Sequence, residues 1–88
     1  MSLTQQKLIQ IKIEAFGAIE RQIPADLNLQ CESEIQVSEV LNQLLSLYPD
    51  IQPMLERCAC AIGEDIISRQ NVLNRDSTLV LLSPVAGG

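Results

Sequence analysis

The chain ends Thr78-Leu79-Val80-Leu81-Leu82-Ser83-Pro84-Val85-Ala86-Gly87-Gly88, and its architecture can be worked out from there. The first half of this stretch, Thr78 to Leu82, is the most apolar strand candidate in the chain, and its apolar residues do not alternate with polar ones. Such a strand is central in a sheet or covered on both faces. Its second half reads as a thin tail. Pro84 has no backbone donor and a fixed φ, which discourages the strand from running on. Gly87 and Gly88 have no side chains, so only backbone would occupy a narrow channel, with the α-carboxylate of Gly88 at the tip. A sterically bare carboxylate is well suited to activation as an acyl-adenylate and exchange for another nucleophile. With glycine at roughly 7% of residues, a terminal pair arises by chance about once in 200 chains, so the pair gains meaning only from what precedes it.

A central last strand needs neighbours, and the start of the chain supplies them. In Lys7 to Ala15, Ile9, Ile11, Ile13 and Ala15 alternate with Gln10, Lys12 and Glu14, the period of a strand with one face on a core. Phe16-Gly17-Ala18 ends it, Ile19 to Ile23 fits either structure, and Pro24-Ala25-Asp26 is a turn. Leu27, Leu29 and Cys31 then alternate with Asn28, Gln30 and Glu32 as a second strand returning antiparallel to the first.

Between these strands and the last one, the period changes. Val37, Val40, Leu41, Leu44, Leu45, Leu47 and Tyr48 fall on one broad helical face, with Ser38 as N-cap, Glu39 in the first turn and Pro49 as the stop. Pro53 to Arg57 suits a short helical turn. Cys58-Ala59-Cys60-Ala61-Ile62 reads as a third strand closed by Gly63-Glu64-Asp65, with Ile66-Ile67 a fragment beyond. Asn74-Arg75-Asp76-Ser77 is the turn before the last strand. The order strand, strand, helix, strand, strand allows a helical crossover, so that the first and last strands lie parallel in mid-sheet. The fold class expected is α+β, a β-grasp: a mixed sheet with one main helix, residues 38–48, on one face. One domain spans 1–82, and a flexible tail spans 83–88.

Composition narrows the function. Eighty-eight residues with 47% hydrophobics, no Trp, one Phe and one Tyr make a single small aliphatic core. Six basic residues against 11 acidic ones leave a net charge of −5, which disfavours nucleic acid and anionic membranes and favours basic partners. No apolar run approaches a membrane span and Met1 to Lys7 lacks signal-peptide form, so a cytoplasmic protein is expected. With no histidine and no Cys-x-x-Cys pair, the chain lacks the commonest general base and the commonest zinc ligands. Cys31, Cys58 and Cys60 are read as small core residues, with no histidine or basic cluster nearby to lower a thiol pKa. Catalysis by the chain itself is not expected.

The β-grasp order, the apolar last strand and the terminal Gly-Gly together resemble the ubiquitin-like sulfur-carrier family. The resemblance is greatest to small subunits of molybdopterin synthase, which typically end in Pro-Pro-Val-x-Gly-Gly; here the end is Ser83-Pro84-Val85-Ala86-Gly87-Gly88. Leu44 to Asp50 looks like that family's helix end, with Tyr48-Pro49, and Leu73 fits a third position. Two departures stand out. Ser83 replaces the first proline, which is expected to loosen the tail's exit, and Arg75-Asp76 replaces an Asp-Gly turn, with Asp76 the residue suited to left-handed angles.

The resemblance implies a carrier cycle. An ATP-dependent adenylating enzyme activates Gly88, sulfur from a donor protein replaces AMP to give a thiocarboxylate, and the tail enters the large synthase subunit to build the dithiolene of molybdopterin. Leu81, Leu82, Pro84, Val85, Ala86 and Gly87 are then the partner-binding tail, with the exposed sheet face beside it as docking surface. No cofactor or metal is expected on this chain, since ATP and the pterin precursor would bind the partners. A heterotetramer with the large subunit is the implied assembly. A sulfur carrier of thiamin (thiazole) synthesis is the second reading, and a β-grasp interaction domain without carrier chemistry the third.

Overall fold

The computed structural model describes residues 7–84. Strand β1 (Leu8–Phe16) is followed by a 3₁₀ turn at Ala18–Gln22, then β2 (Leu27–Glu32) and the two-residue β3 (Ile35–Gln36). Helix α1 (Val37–Leu47) leads through a second 3₁₀ turn, Pro49–Ile51, into the short α2 (Gln52–Glu56). Four strands complete the fold: β4 (Ala59–Ile62), β5 (Asp65–Ile67), β6 (Val72–Leu73) and β7 (Ser77–Leu82). The main sheet has 5 strands in the order β2-β1-β7-β4-β5, and β3 pairs with β6 in a separate 2-stranded sheet. This is the ubiquitin-like β-grasp expected from the residue pattern.

The first and last strands of the main sheet are its central pair. They run parallel from Ile11↔Ser77 to Phe16↔Leu82, while β1–β2, β7–β4 and β4–β5 are antiparallel. Alternation along each strand sends Ile9, Ile11, Ile13, Leu29, Cys31, Cys60, Leu79 and Leu81 into one buried layer. Val37, Val40, Leu41 and Leu44 of α1 fill the opposing layer. Being central does not mean covered on both faces for β7. Leu79 and Leu81 are buried, Thr78 and Val80 are half-buried and Leu82 is exposed, because all of α1's buried residues join the layer on one side of the sheet.

Several local expectations are revised. Helix α1 starts two residues earlier than the Ser38 cap implies, with Gln36 as N-cap. The amides of Val37 and Ser38 donate to the carbonyls of Asn71 and Arg69, at 2.9 Å each. Glu39 accepts from the Gln36 amide at 3.4 Å. Loop carbonyls thus satisfy the first two helix amides, and Gln36 and Glu39 form a reciprocal capping box. The apolar helix face is also narrower than the spacing suggests: Leu47 is 56% exposed and Leu45 half-buried. Among described residues other than glycine, positive φ occurs at Glu34 (65°) and not at Asp76. Asp76 instead accepts a hydrogen bond from the Gln10 amide at 2.9 Å, tying the last turn to β1.

Leu44 is fully buried between α1 and the sheet. Leu44→Asp would place an unpaired carboxylate in that layer and should cost several kcal/mol, on the order of the domain's whole stability. Urea denaturation followed by circular dichroism should show the variant largely unfolded without denaturant.

Candidate functional site

Because β1 and β7 are parallel, the two strands end side by side at Phe16 and Leu82. Beyond that pair the chains stay in contact. Gly17 turns with φ 89° into the 3₁₀ segment, and Ser83 leaves β7 across it. The Ser83 amide donates to the Phe16 carbonyl at 3.0 Å. Its hydroxyl donates to the same carbonyl at 2.9 Å and accepts from the Ile19 amide at 3.0 Å. The Ala18 amide donates to the Pro84 carbonyl at 3.4 Å. Ile19 is fully buried, so the segment holding the base of the tail is itself anchored in the core. Ser83 therefore fastens the exit rather than loosening it, because serine supplies an amide donor and a hydroxyl that proline lacks.

The tail residues expected from the sequence divide at this point. Leu81 is fully buried, while Leu82, its neighbour, points to the opposite face and is 37% exposed. Pro84 is exposed. Val85, Ala86, Gly87 and Gly88 lie outside the described residues.

Leu82 belongs to an apolar band across the outer face of the sheet. In register, Phe16, Leu82 and Ala59 form one row, and Glu14, Val80, Ala61 and Ile66 the next. Phe16 is 49% exposed and Ile66 66%. Sequence reasoning placed a contact face here but missed its main members, treating Phe16 as a strand end and Ile66 as a fragment. The signal for Phe16 was its composition: the chain's one Phe, sitting where alternation sends it outward.

Charge surrounds this band. Beside Phe16, Lys12, Glu14, Glu20 and Asp26 line a recess in which carboxylates outnumber the single ammonium. Lys12 and Glu14 pair at 3.8 Å with both side chains largely in solvent, a contact of little energetic weight. Glu64 and Asp65 are exposed at the β4–β5 turn.

The thiols are in a different environment. Cys31, Cys58 and Cys60 are all buried and none is in a disulfide. Burial pushes each thiol pKa up; at Cys58 the neighbouring Cys60 adds to the rise and Arg69 opposes it. Arg69 is otherwise engaged, donating to the carbonyls of Leu55 at 2.7 Å and Cys58 at 3.2 Å. Nothing here makes a thiolate at neutral pH, and among the described residues no cluster of His, Cys, Asp or Glu could hold a metal ion. No helix among them is long and apolar enough to cross a membrane.

A family model spans residues 15–88, from the end of β1 through the glycine tail. The chain belongs to the ThiS family. Solved structures agree with this at the level of fold. SAMP1 from Haloferax volcanii superposes with a TM-score of 0.77 at 12% identity, covering 90% of this chain and 99% of that one. The small archaeal modifier protein 1 from Methanosarcina acetivorans gives 0.71 at 18% identity, covering 93% and 99%. A chain from the complex of subunits 1 and 2 of molybdopterin-converting factor from Helicobacter pylori 26695 is 25% identical, with a TM-score of 0.59 and coverage of 91% and 100%. A search of curated proteins gave no match. This ThiS-family chain is thus a ubiquitin-like sulfur carrier, similar to subunit 1 of molybdopterin-converting factor.

The buried thiols make a prediction about pH. A thiol whose folded pKa is raised stabilises the fold below its ordinary value of 9.0, and that contribution is lost as pH rises through the folded pKa. Stability measured by urea titration should therefore fall above about pH 9. Replacing Cys31, Cys58 and Cys60 with Ala should flatten that fall. At about pH 7.5, below the ordinary thiol pKa, iodoacetamide should label the native chain far more slowly than the urea-unfolded one, read by mass spectrometry.

Proposed function

We propose that this chain is the sulfur-carrying small subunit of a molybdopterin synthase. The observation that carries the reading is the adjacency of two features: the fixed root of a Pro-Val-Ala-Gly-Gly tail and an exposed apolar band containing Phe16, Leu82 and Ile66. The complex reported for the Helicobacter pylori relative supports a large-subunit partner.

In this cycle the chain supplies a docking face and a carboxylate, and the partners supply the catalysis. The Gly88 carboxylate attacks the α-phosphorus of ATP on an adenylating enzyme, and pyrophosphate leaves. A persulfide on a donor protein then attacks the acyl carbon and expels AMP, giving an acyl disulfide; a second thiol of the donor cleaves the S–S bond, releasing the thiocarboxylate and leaving a disulfide on the donor. The exchange converts a resonance-stabilised acid into a soft nucleophile without altering the globular domain. Docking through the outer face holds the tail at high effective concentration in the partner's channel, and the acidic surface favours encounter with a basic rim. The pterin precursor binds in the large subunit, where the tail delivers sulfur for the dithiolene. Assembly with that subunit as a heterotetramer in the cytoplasm is part of the proposal.

The carrier step is checked by intact-protein mass spectrometry after incubation with adenylating enzyme, ATP and sulfur donor. The wild-type chain should gain the mass of one oxygen-to-sulfur exchange, as should the triple Cys31, Cys58 and Cys60 to Ala variant. Deleting Gly88, or adding a residue after it, should abolish the gain. Sulfur loading that persists without Gly88 would instead identify a cysteine persulfide.

Pathway and docking are read separately. Thiocarboxylated protein mixed with large synthase subunit and pterin precursor should yield the dithiolene; efficient transfer to a thiazole synthase alone would assign the chain to thiamin synthesis. Phe16→Asp should weaken binding to the large subunit about tenfold or more with an unchanged fold, as expected for an exposed aromatic anchor. Gly87→Val should reduce sulfur transfer more than binding, because it blocks tail entry and leaves the docking face intact.

A further inference from the structure

Pro84 fixes only its own φ, so it cannot alone set the direction in which the tail leaves the domain. That direction also depends on what holds residue 83 to the sheet. Ser83 is the residue after the β1–β7 ladder, and both its backbone and its side chain bond across to the opposite chain. Its amide and hydroxyl converge on the Phe16 carbonyl, at 3.0 and 2.9 Å. The same hydroxyl takes the Ile19 amide at 3.0 Å. One hydroxyl thus bridges the last carbonyl of β1 and a backbone amide of the 3₁₀ turn. The Ala18–Pro84 bond continues the contact by one residue.

Gly17 is what lets the two chains approach so closely. A Cβ placed on it would overlap the Ser83 carbonyl oxygen, lying 2.5 Å from the Ser83 hydroxyl oxygen and 2.9 Å from the carbonyl carbon. Its φ of 89° would strain any other residue as well. A side chain here must push Ser83 away or move the turn, and the turn is held by fully buried Ile19. Gly17 and Ser83 therefore depend on one another. Gly17 lies far from the tail in sequence and Ser83 is its first residue; 64 residues separate the hydroxyl from the Ile19 amide it accepts.

We propose that Gly17 and Ser83 form a latch that aims the C-terminal tail, making both positioning residues for chemistry at Gly88. The inference rests on the carrier reading above and adds the residues that determine delivery. Without the latch the docking face stays intact, since Phe16 and Leu82 keep their ladder pairing. The tail then leaves the sheet over a wider cone, so fewer bound encounters place the carboxylate in the partner's active site. The loss falls on turnover and leaves affinity largely unchanged.

The test compares wild type, Ser83→Ala, Ser83→Thr and Gly17→Ala as substrates of the adenylating enzyme with ATP, well below each protein's Tm. Amide exchange at Ala18 and Ile19 is measured in parallel. Ser83→Ala should lower kcat about fivefold to tenfold with KM within about twofold, the scale expected when hydrogen bonds that orient a group are lost. Exchange at Ile19 should accelerate. Ser83→Thr keeps the hydroxyl and should restore both, and Gly17→Ala should be at least as impaired as Ser83→Ala; if it does not fold, the two Ser83 variants decide. Wild-type kcat in Ser83→Ala, or a loss confined to KM or Tm, overturns the latch while leaving the carrier reading in place. A wild-type chain that is never adenylated overturns the carrier reading, and the latch's role with it.

Discussion

The parallel ladder between β1 and β7 is the constraint on which the rest of the molecule depends. It joins residues more than 60 positions apart, from Ile11↔Ser77 to Phe16↔Leu82. Its core-facing members, Ile13 and Leu79, are almost wholly buried. Parallel pairing also decides which ends meet. Had β7 run the other way along the same register, the root of the tail would lie beside Ile11; instead it lies beside Phe16 and Gly17, where a buried turn can hold it. The site follows from strand direction before any individual side chain is considered.

The sheet divides its two faces between stability and contact. One side, with α1, α2 and both 3₁₀ turns contributing Val40, Leu44, Leu55, Ile51 and Ile19, makes a core of aliphatic side chains and three cysteines. The other side keeps Phe16, Leu82 and Ile66 in solvent, at a cost that a partner's surface can recover. Burial also holds the three cysteine thiols protonated on the core side of the sheet.

Much of this was legible in the sequence, for a physical reason. β1, β2 and α1 are each long enough to show a period, and an unbroken apolar run marked β7 as central. β3 and β6, at two residues each, are too short to carry any pattern and exist because Ile35 and Leu73 face each other across a tertiary contact. The start of α1 was misread at Ser38 because its donors are satisfied by carbonyls of Arg69 and Asn71, over 30 residues away. The left-handed residue was sought at Asp76 and lies at Glu34, since Asp76 is occupied with the Gln10 amide. The tail was visible in the sequence as Pro84 followed by Gly87 and Gly88. Its fastening was not, because Ser83 acquires meaning only beside Phe16 and Ile19.

The central position of β7 also bears on how the chain is made. A ribosome produces β1 first and β7 last of the seven strands. Until Leu82 has emerged, the nascent chain has β1 open along one edge and the β4–β5 hairpin with nothing to join it to the rest of the sheet. The main sheet therefore cannot close gradually during synthesis, as a fold built from successive neighbours can. It closes in one late event, when the newest segment inserts between two of the older ones. Closure of the main sheet and completion of the strand that leads into the tail are consequently the same step.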